Sequence, residues 1–99
     1  MKHMLKWDNK ERVAYLDGEY LSPEHSQGIY NHSPDGFNVG YSGSGPAQLA
    51  LAILLKIMDK GLAVAQYQQF KRDLIAGLPQ NKNFEIEFEW PLEEGHIKE

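Results

Sequence analysis

The stretch that decides the fold is NHSPDGFNVGYSGSG at residues 31–45, which runs directly into PAQLALAILLKIM at residues 46–58. The first part is polar and rich in glycine, so its backbone can bend sharply and approach a ligand closely. Apart from Gln48 and Lys56, the second part is apolar on every side. This pattern predicts a central helix that is buried on most of its faces.

The start of this helix is the first candidate site. Pro46 suits the first helical turn, and Gly45 or Ser44 is expected to cap it. The first N–H groups of a helix lack internal acceptors, and the helix dipole adds about half a positive charge there. We therefore predict that Gly43, Ser44 and Gly45 hold a phosphate or carboxylate without a basic side chain. The alternative is that these residues form only a tight helix start.

Three known ligand-binding or catalytic motifs are incomplete in this loop. A phosphate loop read from Gly40 to Gly45 continues with Pro46-Ala47, so its lysine and its magnesium-binding hydroxyl are absent. A dinucleotide-binding motif lacks its third glycine. A hydrolase elbow needs glycine where Ser44 stands. The sequence therefore predicts a non-enzymatic ligand-binding site, with no cofactor and no metal.

Polar residues crowd the approach to the loop. His32, Ser33 and Asp35 lie within four residues, but the members of a catalytic triad normally come from distant segments. We interpret Ser33 to Gly36 as a turn that His32 anchors; the alternative is an enzyme in which His32 or Asp35 acts as an acid or base. Gln48 either caps the helix locally or faces the ligand.

Aromatic residues alternate with the glycines of the loop. Tyr30, Phe37 and Tyr41 either fix the loop to the core or offer a stacking surface for a base. On the second helix, Tyr67 and Lys71 either complete a pocket or, in the case of Tyr67, pack in the core. The predicted ligand-binding residues are His32, Ser33, Asp35, Asn38, Tyr41, Ser42, Gly43, Ser44, Gly45, Gln48, Tyr67 and Lys71.

The N-terminal part predicts an antiparallel sheet. Residues 4–8 and 12–16 have the character of strands, and a turn at Asp17-Gly18 sends residues 19–21 back antiparallel. Residues 23–45 would then form a loop that is long enough to be functional or mobile.

The C-terminal part predicts one more helix and one more strand. Gly61 is expected to end the first helix, and residues 62–76 to form the second. Residues 84–90 (FEIEFEW) alternate strictly between apolar and acidic, which is typical of a half-buried strand. We therefore predict a single α+β domain over residues 1–99, in which a small antiparallel sheet, made of the N-terminal hairpin and the C-terminal strand, packs on a two-helix hairpin.

Charge and composition restrict the class of protein. The net charge is −4, and the whole acidic excess lies in residues 80–99. No basic stripe is visible, so duplex nucleic acid is not an expected partner. The glutamates at 85, 87 and 89 form either a solvated strand face or a cation site. Without cysteines, a leader-like N-terminus or a long apolar run, the sequence predicts a cytoplasmic protein with no membrane contact.

Residues 31–79 resemble a family of small domains of unknown function from bacteriophage, archaeal-virus and prokaryotic genomes. The resemblance is carried by HSPDGFN from His32, GSGPAQLAL from Gly43 and YQxFK from Tyr67. Val39 stands where the family tends to have tryptophan, and Ser42 where it tends to have glycine. The resemblance implies a phage or mobile-element setting, in which small proteins counter host defence.

Two hypotheses of function follow. The first is a phage counter-defence protein that sequesters a phosphate-bearing molecule, such as a cyclic or other signalling nucleotide, in the host cytoplasm. The second is a phage-encoded inhibitor or adaptor that binds a host protein through its acidic surface, which includes Glu93 and Glu94. A homo-oligomer is expected because the short chain must cover an apolar helix.

Overall fold

In the computed structural model, which describes residues 2–91, four antiparallel strands form one sheet in the order β3-β2-β1-β4. Helices cover one face of this sheet, which confirms the predicted α+β fold. The elements are β1 (Lys2–Asp8), β2 (Val13–Leu16), β3 (Glu19–Leu21), α1 (Glu24–Ile29), α2 (Ser44–Ile57), α3 (Lys60–Asp73), a short 3-10 helix (Ile75–Gly77) and β4 (Phe84–Glu89).

The turn between β2 and β3 has the predicted Asp-Gly geometry. Asp17 has φ 52° and Gly18 has φ 86°, so both adopt the left-handed conformation that a tight hairpin turn requires. The Asp17 carboxylate also fixes the turn to β1. Its Oδ1 accepts a hydrogen bond from the Met4 N–H at 2.8 Å, and its Oδ2 lies 2.8 Å from Nδ1 of His3.

The alternating segment near the C-terminus forms the edge strand β4, as predicted. Phe84 and Ile86 lie opposite Trp7 and Leu5 of β1, both of which are buried. Phe88 is also buried, whereas the intervening glutamates lie on the opposite face. The period of two therefore separates an apolar inner face from a charged outer face.

The centre of the core is α2. Every residue from Gly45 to Leu54 is buried, which confirms the prediction of a central helix enclosed on most faces. Leu5 and Trp7 of the sheet and Phe70 of α3 belong to the same hydrophobic cluster. One chain is therefore enough to cover the middle of this helix.

The predicted loop over residues 23–45 contains a helix that the sequence analysis missed. Pro23 precedes α1, whose buried Ser26 donates a hydrogen bond from Oγ to the Pro23 carbonyl at 2.8 Å. Six residues with Gly28 among them give too little periodicity to identify a helix. The remaining loop runs from Tyr30 to Gly43.

Two predicted helix boundaries were wrong. Gly43 precedes the first helical residue of α2 and makes no side-chain cap, so neither Gly45 nor Ser44 is the cap. Gly61 does not end α2. Instead, Asp59 caps α3 by accepting a hydrogen bond from the Leu62 N–H at 2.9 Å, which places Gly61 inside the first turn of α3.

The turn between β1 and β2 is longer than predicted. The sequence analysis placed Arg12 in a strand, but β2 begins at Val13. Arg12 has φ 58° and belongs to the turn. Within residues 2–91, no helix has both the length and the apolar character needed to cross a membrane.

Candidate functional site

A cleft of about 290 Å³ opens at the N-terminus of α2, and we call it the α2 cleft. Three segments meet there: the turn between β1 and β2, the loop before α2, and the first turn of α2 itself. Its walls are Arg12, Ser33, Asp35, Gly36, Phe37, Asn38, Tyr41, Ser44 and Gly45.

The first turn of α2 supplies free hydrogen-bond donors. The first internal hydrogen bond of the helix runs from the Ala47 N–H to the Gly43 carbonyl at 3.0 Å. The N–H groups of Ser44 and Gly45 have no acceptor among residues 2–91, and Pro46 has no N–H. The two donors and the positive end of the helix dipole favour an anion at this position.

The loop packs closely on the helix at Gly43 and Gly45, and at Gly45 this packing requires glycine because backbone atoms of Asn38 lie too near for a side chain. A Cβ atom on Gly45 would lie 2.6 Å from the Cβ of Asn38 and 3.0 Å from its backbone nitrogen. A Cβ atom on Gly43 would lie 2.5 Å from Cε2 of Tyr41. The Tyr41 ring therefore lies against Gly43, while the residue remains 41% exposed at the cleft.

Three residues line the α2 cleft without having been predicted as ligand-binding, namely Arg12, Gly36 and Phe37, and of these Arg12 is the charged one. It is exposed, and it makes no hydrogen bond or ion pair with any residue between 2 and 91. No local motif marks it, because only the folded chain brings its turn beside the loop before α2. Asp35 lines the same cleft and has the opposite charge, so the net positive field is modest.

Gln48 has a structural role that uses its whole amide group. The side chain is fully buried. Its Oε1 accepts hydrogen bonds from the N–H groups of His32 at 2.7 Å and Ser33 at 2.9 Å. Its Nε2 donates to Oγ of Ser26 and to the Tyr30 carbonyl, both at 2.9 Å. With both donors and both acceptor positions occupied, Gln48 has no hydrogen-bonding capacity left for a ligand.

His32 and Tyr67 form a separate pair next to this anchor. Nε2 of His32 lies 2.7 Å from the Tyr67 hydroxyl, and Tyr67 is buried. The Tyr30 ring stacks on Tyr67 with 6.3 Å between centroids. None of these three residues lines the α2 cleft.

The structure therefore divides the predicted site residues into two sets. Ser33, Asp35, Asn38, Tyr41, Ser44 and Gly45 come together in the α2 cleft. The other six lie outside its walls: His32, Ser42, Gly43, Gln48, Tyr67 and Lys71. Within residues 2–91, histidine, aspartate and glutamate side chains form no group of three or more that could hold a metal ion.

The fold is a small α+β one, in which a cleft lies at the N-terminus of α2. The chain belongs to the family described as "Family of unknown function (DUF6166)", which it matches over residues 5–99. This confirms the resemblance to a family of uncharacterised small domains. No curated protein and no solved structure matches the chain.

Proposed function

We propose that this protein binds a phosphate-bearing small molecule in the α2 cleft and does not transform it. The observation that carries the proposal is the convergence of Arg12 with the two free N–H groups of Ser44 and Gly45. An arginine and a helix N-terminus are complementary to a phosphate group in both charge and geometry. The Ser44 hydroxyl, at the same helix start, adds a fourth donor.

The other walls of the α2 cleft favour a nucleotide over inorganic phosphate. The Asp35 carboxylate opposes an anion, but it is a good acceptor for the hydroxyl groups of a ribose. The exposed ring of Tyr41 offers a stacking surface for a base. At about 290 Å³ the cleft lies at the lower end of the size range of ligand pockets, about 300–1,000 Å³, so it has room for no more than about one nucleotide unit.

Binding without turnover is supported by the arrangement of the titratable side chains. His32, the only histidine that the sequence placed at the site, contacts Tyr67 and does not line the cleft. Asp35 has no histidine or second carboxylate beside it in the cleft walls. General acid–base catalysis requires such a group to be oriented toward the substrate.

We further propose a phage setting for this binding activity. The resemblance of residues 31–79 to a family with phage and archaeal-virus members supports it. In that setting the protein would sequester a signalling nucleotide of the host in the host cytoplasm and so counter a defence response. The family resemblance, and not the geometry of the cleft, supports this setting.

Calorimetric titration with inorganic phosphate, mononucleotides and cyclic nucleotides tests the proposed function. Wild-type protein should bind at least one nucleotide more tightly than inorganic phosphate.

Arg12→Gln should weaken nucleotide binding about tenfold, because it removes a charged hydrogen-bond donor. The matched control is Lys10→Gln, which removes a charge from the same turn but not from the cleft walls. Absence of heat with every nucleotide, or equal losses in the two variants, would contradict the proposal.

The second hypothesis, an adaptor with an acidic docking surface, remains a prediction. The register of the sheet does not favour it, because Glu85 lies opposite Lys6 and Glu89 lies opposite Lys2. Glu93 and Glu94 lie outside the described residues. Reversing the charges of the three strand glutamates should abolish capture of a host protein if this hypothesis is right, and should leave nucleotide binding unchanged.

A further inference from the structure

We propose a second binding site, which takes a small, neutral molecule with an apolar body and a hydroxyl group. It is a cavity of about 280 Å³ near the C-terminal end of α2, and we call it the His3 cavity. It shares no lining residue with the α2 cleft. Its walls are His3, Leu16, Asp17, Glu19, Tyr20, Leu21, Lys56 and Ile57.

The polar anchor of this site is His3. Only 9% of its side chain is exposed, and its ring packs on Phe88 with 5.5 Å between centroids. Nδ1 lies 2.8 Å from Oδ2 of Asp17. In the neutral imidazole, the N–H on Nδ1 donates to this carboxylate, which leaves Nε2 as an acceptor. No residue between 2 and 91 bonds to Nε2.

Asp17 holds the imidazole in a fixed orientation. Its other oxygen accepts the Met4 N–H at 2.8 Å, and its backbone is constrained by the left-handed turn. A buried histidine whose one nitrogen is held by a fixed carboxylate presents the other nitrogen to a ligand without further ordering. Such preorganisation lowers the entropic cost of binding.

The remaining walls select the class of ligand. Leu16, Leu21 and Ile57 provide apolar surface. An enclosed apolar cavity of about 150 Å³ is enough to hold benzene, so this larger cavity, which is open on one side, has room for a substituted six-membered ring. Charges of both signs border it, since Lys56 lies in the same walls as Asp17 and Glu19, so the attraction of one wall for a charged group is opposed by the repulsion of another. A neutral hydroxyl avoids this repulsion and donates its hydrogen bond to Nε2.

Phenol and toluene are matched probes for the His3 cavity. They share one ring, and only phenol can donate a hydrogen bond. We expect wild-type protein to bind phenol at least about fivefold more tightly than toluene. In ¹⁵N spectra of the histidine side chains, phenol should shift the Nε2 resonance of His3. His25, which is exposed on α1, should not shift and serves as the internal control.

The variant His3→Phe separates the hydrogen bond from the apolar walls. It keeps an aromatic ring beside Phe88 and should reverse the preference, so that toluene binds more tightly than phenol. Equal preference in wild type and variant would overturn the proposal. The spectra of the wild-type protein decide the matter even if the variant does not fold. A His3 resonance that stays unchanged on saturation with phenol, or that moves no more than His25, also overturns it.

Discussion

At the scale of single residues, Gln48 decides the shape of the loop before α2. Buried polar groups are tolerated only when they are hydrogen-bonded, and the four bonds of this amide join α2 to the end of α1 and to the start of the loop. The loop therefore has a fixed starting point one helical turn from the α2 cleft. Sequence analysis left open whether Gln48 caps the helix or faces a ligand, and the structure shows a third role.

We expect Gln48→Ala to lower the free energy of unfolding by about 3 kcal/mol, because it leaves two N–H groups and a carbonyl, all of them part-buried, without their protein partner. Urea denaturation measures this change. Gln69→Ala is the matched control, since Gln69 bonds only exposed side chains on α3, and it should change the free energy by less than about 0.5 kcal/mol. Equal effects of the two substitutions would show that the Gln48 network does not hold the loop.

Asp17 gives the fold a predictable dependence on pH. The hydrogen bond with His3, and then that with the Met4 N–H, holds the pKa of the Asp17 carboxyl below its ordinary value of 3.8. The stabilisation is therefore fully present above pH 3.8, and it is lost as the pH falls through the lower pKa of the folded state.

We expect the wild-type protein to be more stable than Asp17→Asn at neutral pH, and this difference to vanish in acid below pH 3.8. Asparagine tolerates the left-handed turn, so the comparison isolates the carboxylate. Urea denaturation at a series of pH values measures the difference. Glu11→Gln changes an exposed carboxylate in the turn between β1 and β2 and should show no such loss. A pH-independent difference for Asp17→Asn would refute the linkage.

At the scale of elements, the contact between the loop and the start of α2 depends on Gly45. Replacing glycine by alanine inside a helix normally stabilises it by about 0.5–1 kcal/mol. At Gly45 the added methyl group would collide with Asn38, so we expect a loss of about 1–3 kcal/mol and weaker nucleotide binding. Gly28→Ala in α1 is the control, since a Cβ there meets no atom within 4 Å. Thermal unfolding that ranks the two variants in the opposite order would contradict this account.

The elements that sequence analysis located are those marked either by one clear period or by an apolar run too long for a strand. The alternation over residues 84–90 fits a strand with one buried face, and the apolar run from residue 46 fits only a buried helix of that length. The short helix α1 has no comparable period, and the capping role of Asp59 was hidden because Gly61 also fits a helix end. Short helices and the exact ends of helices depend on which of several neighbouring residues acts as the cap, and one sequence does not settle that choice.

Only the side of the α2 cleft that is formed by residues close together in sequence could be predicted. Ser33 to Gly45 are neighbours in sequence, so the clustering of polar and glycine residues marked that side of the cleft. Arg12 belongs to a turn more than 20 residues earlier, and its approach is a product of tertiary packing. His32 carried the right chemistry, but its Nε2 is engaged with Tyr67.

At the scale of the whole molecule, the open face of the sheet is the surface that remains without helices. This outer sheet face consists of Lys2, Met4, Lys6, Asp8, Val13, Tyr15, Tyr20, Glu85, Glu87 and Glu89. We expected a homo-oligomer because one short chain would not cover an apolar helix. The structure shows that residues 45–54 of α2 are buried within a single chain. Self-association therefore remains a prediction that now depends on the outer sheet face.

The outer sheet face has features that suit a second copy of the chain. Tyr20 is 55% exposed and Met4 is 38% exposed, which leaves apolar area to bury. The lysines of β1 lie beside the glutamates of β4, so two copies can set the positive row of one against the negative row of the other. We expect light scattering to show a dimer that dissociates at high salt, because such surface charges are screened.

Tyr20→Lys should give a monomer at any salt concentration. Leu62→Lys is the control, a similar change at a position that is 49% exposed on α3, and it should leave the dimer intact. A wild-type protein that scatters as a monomer at micromolar concentration in low salt would remove the prediction.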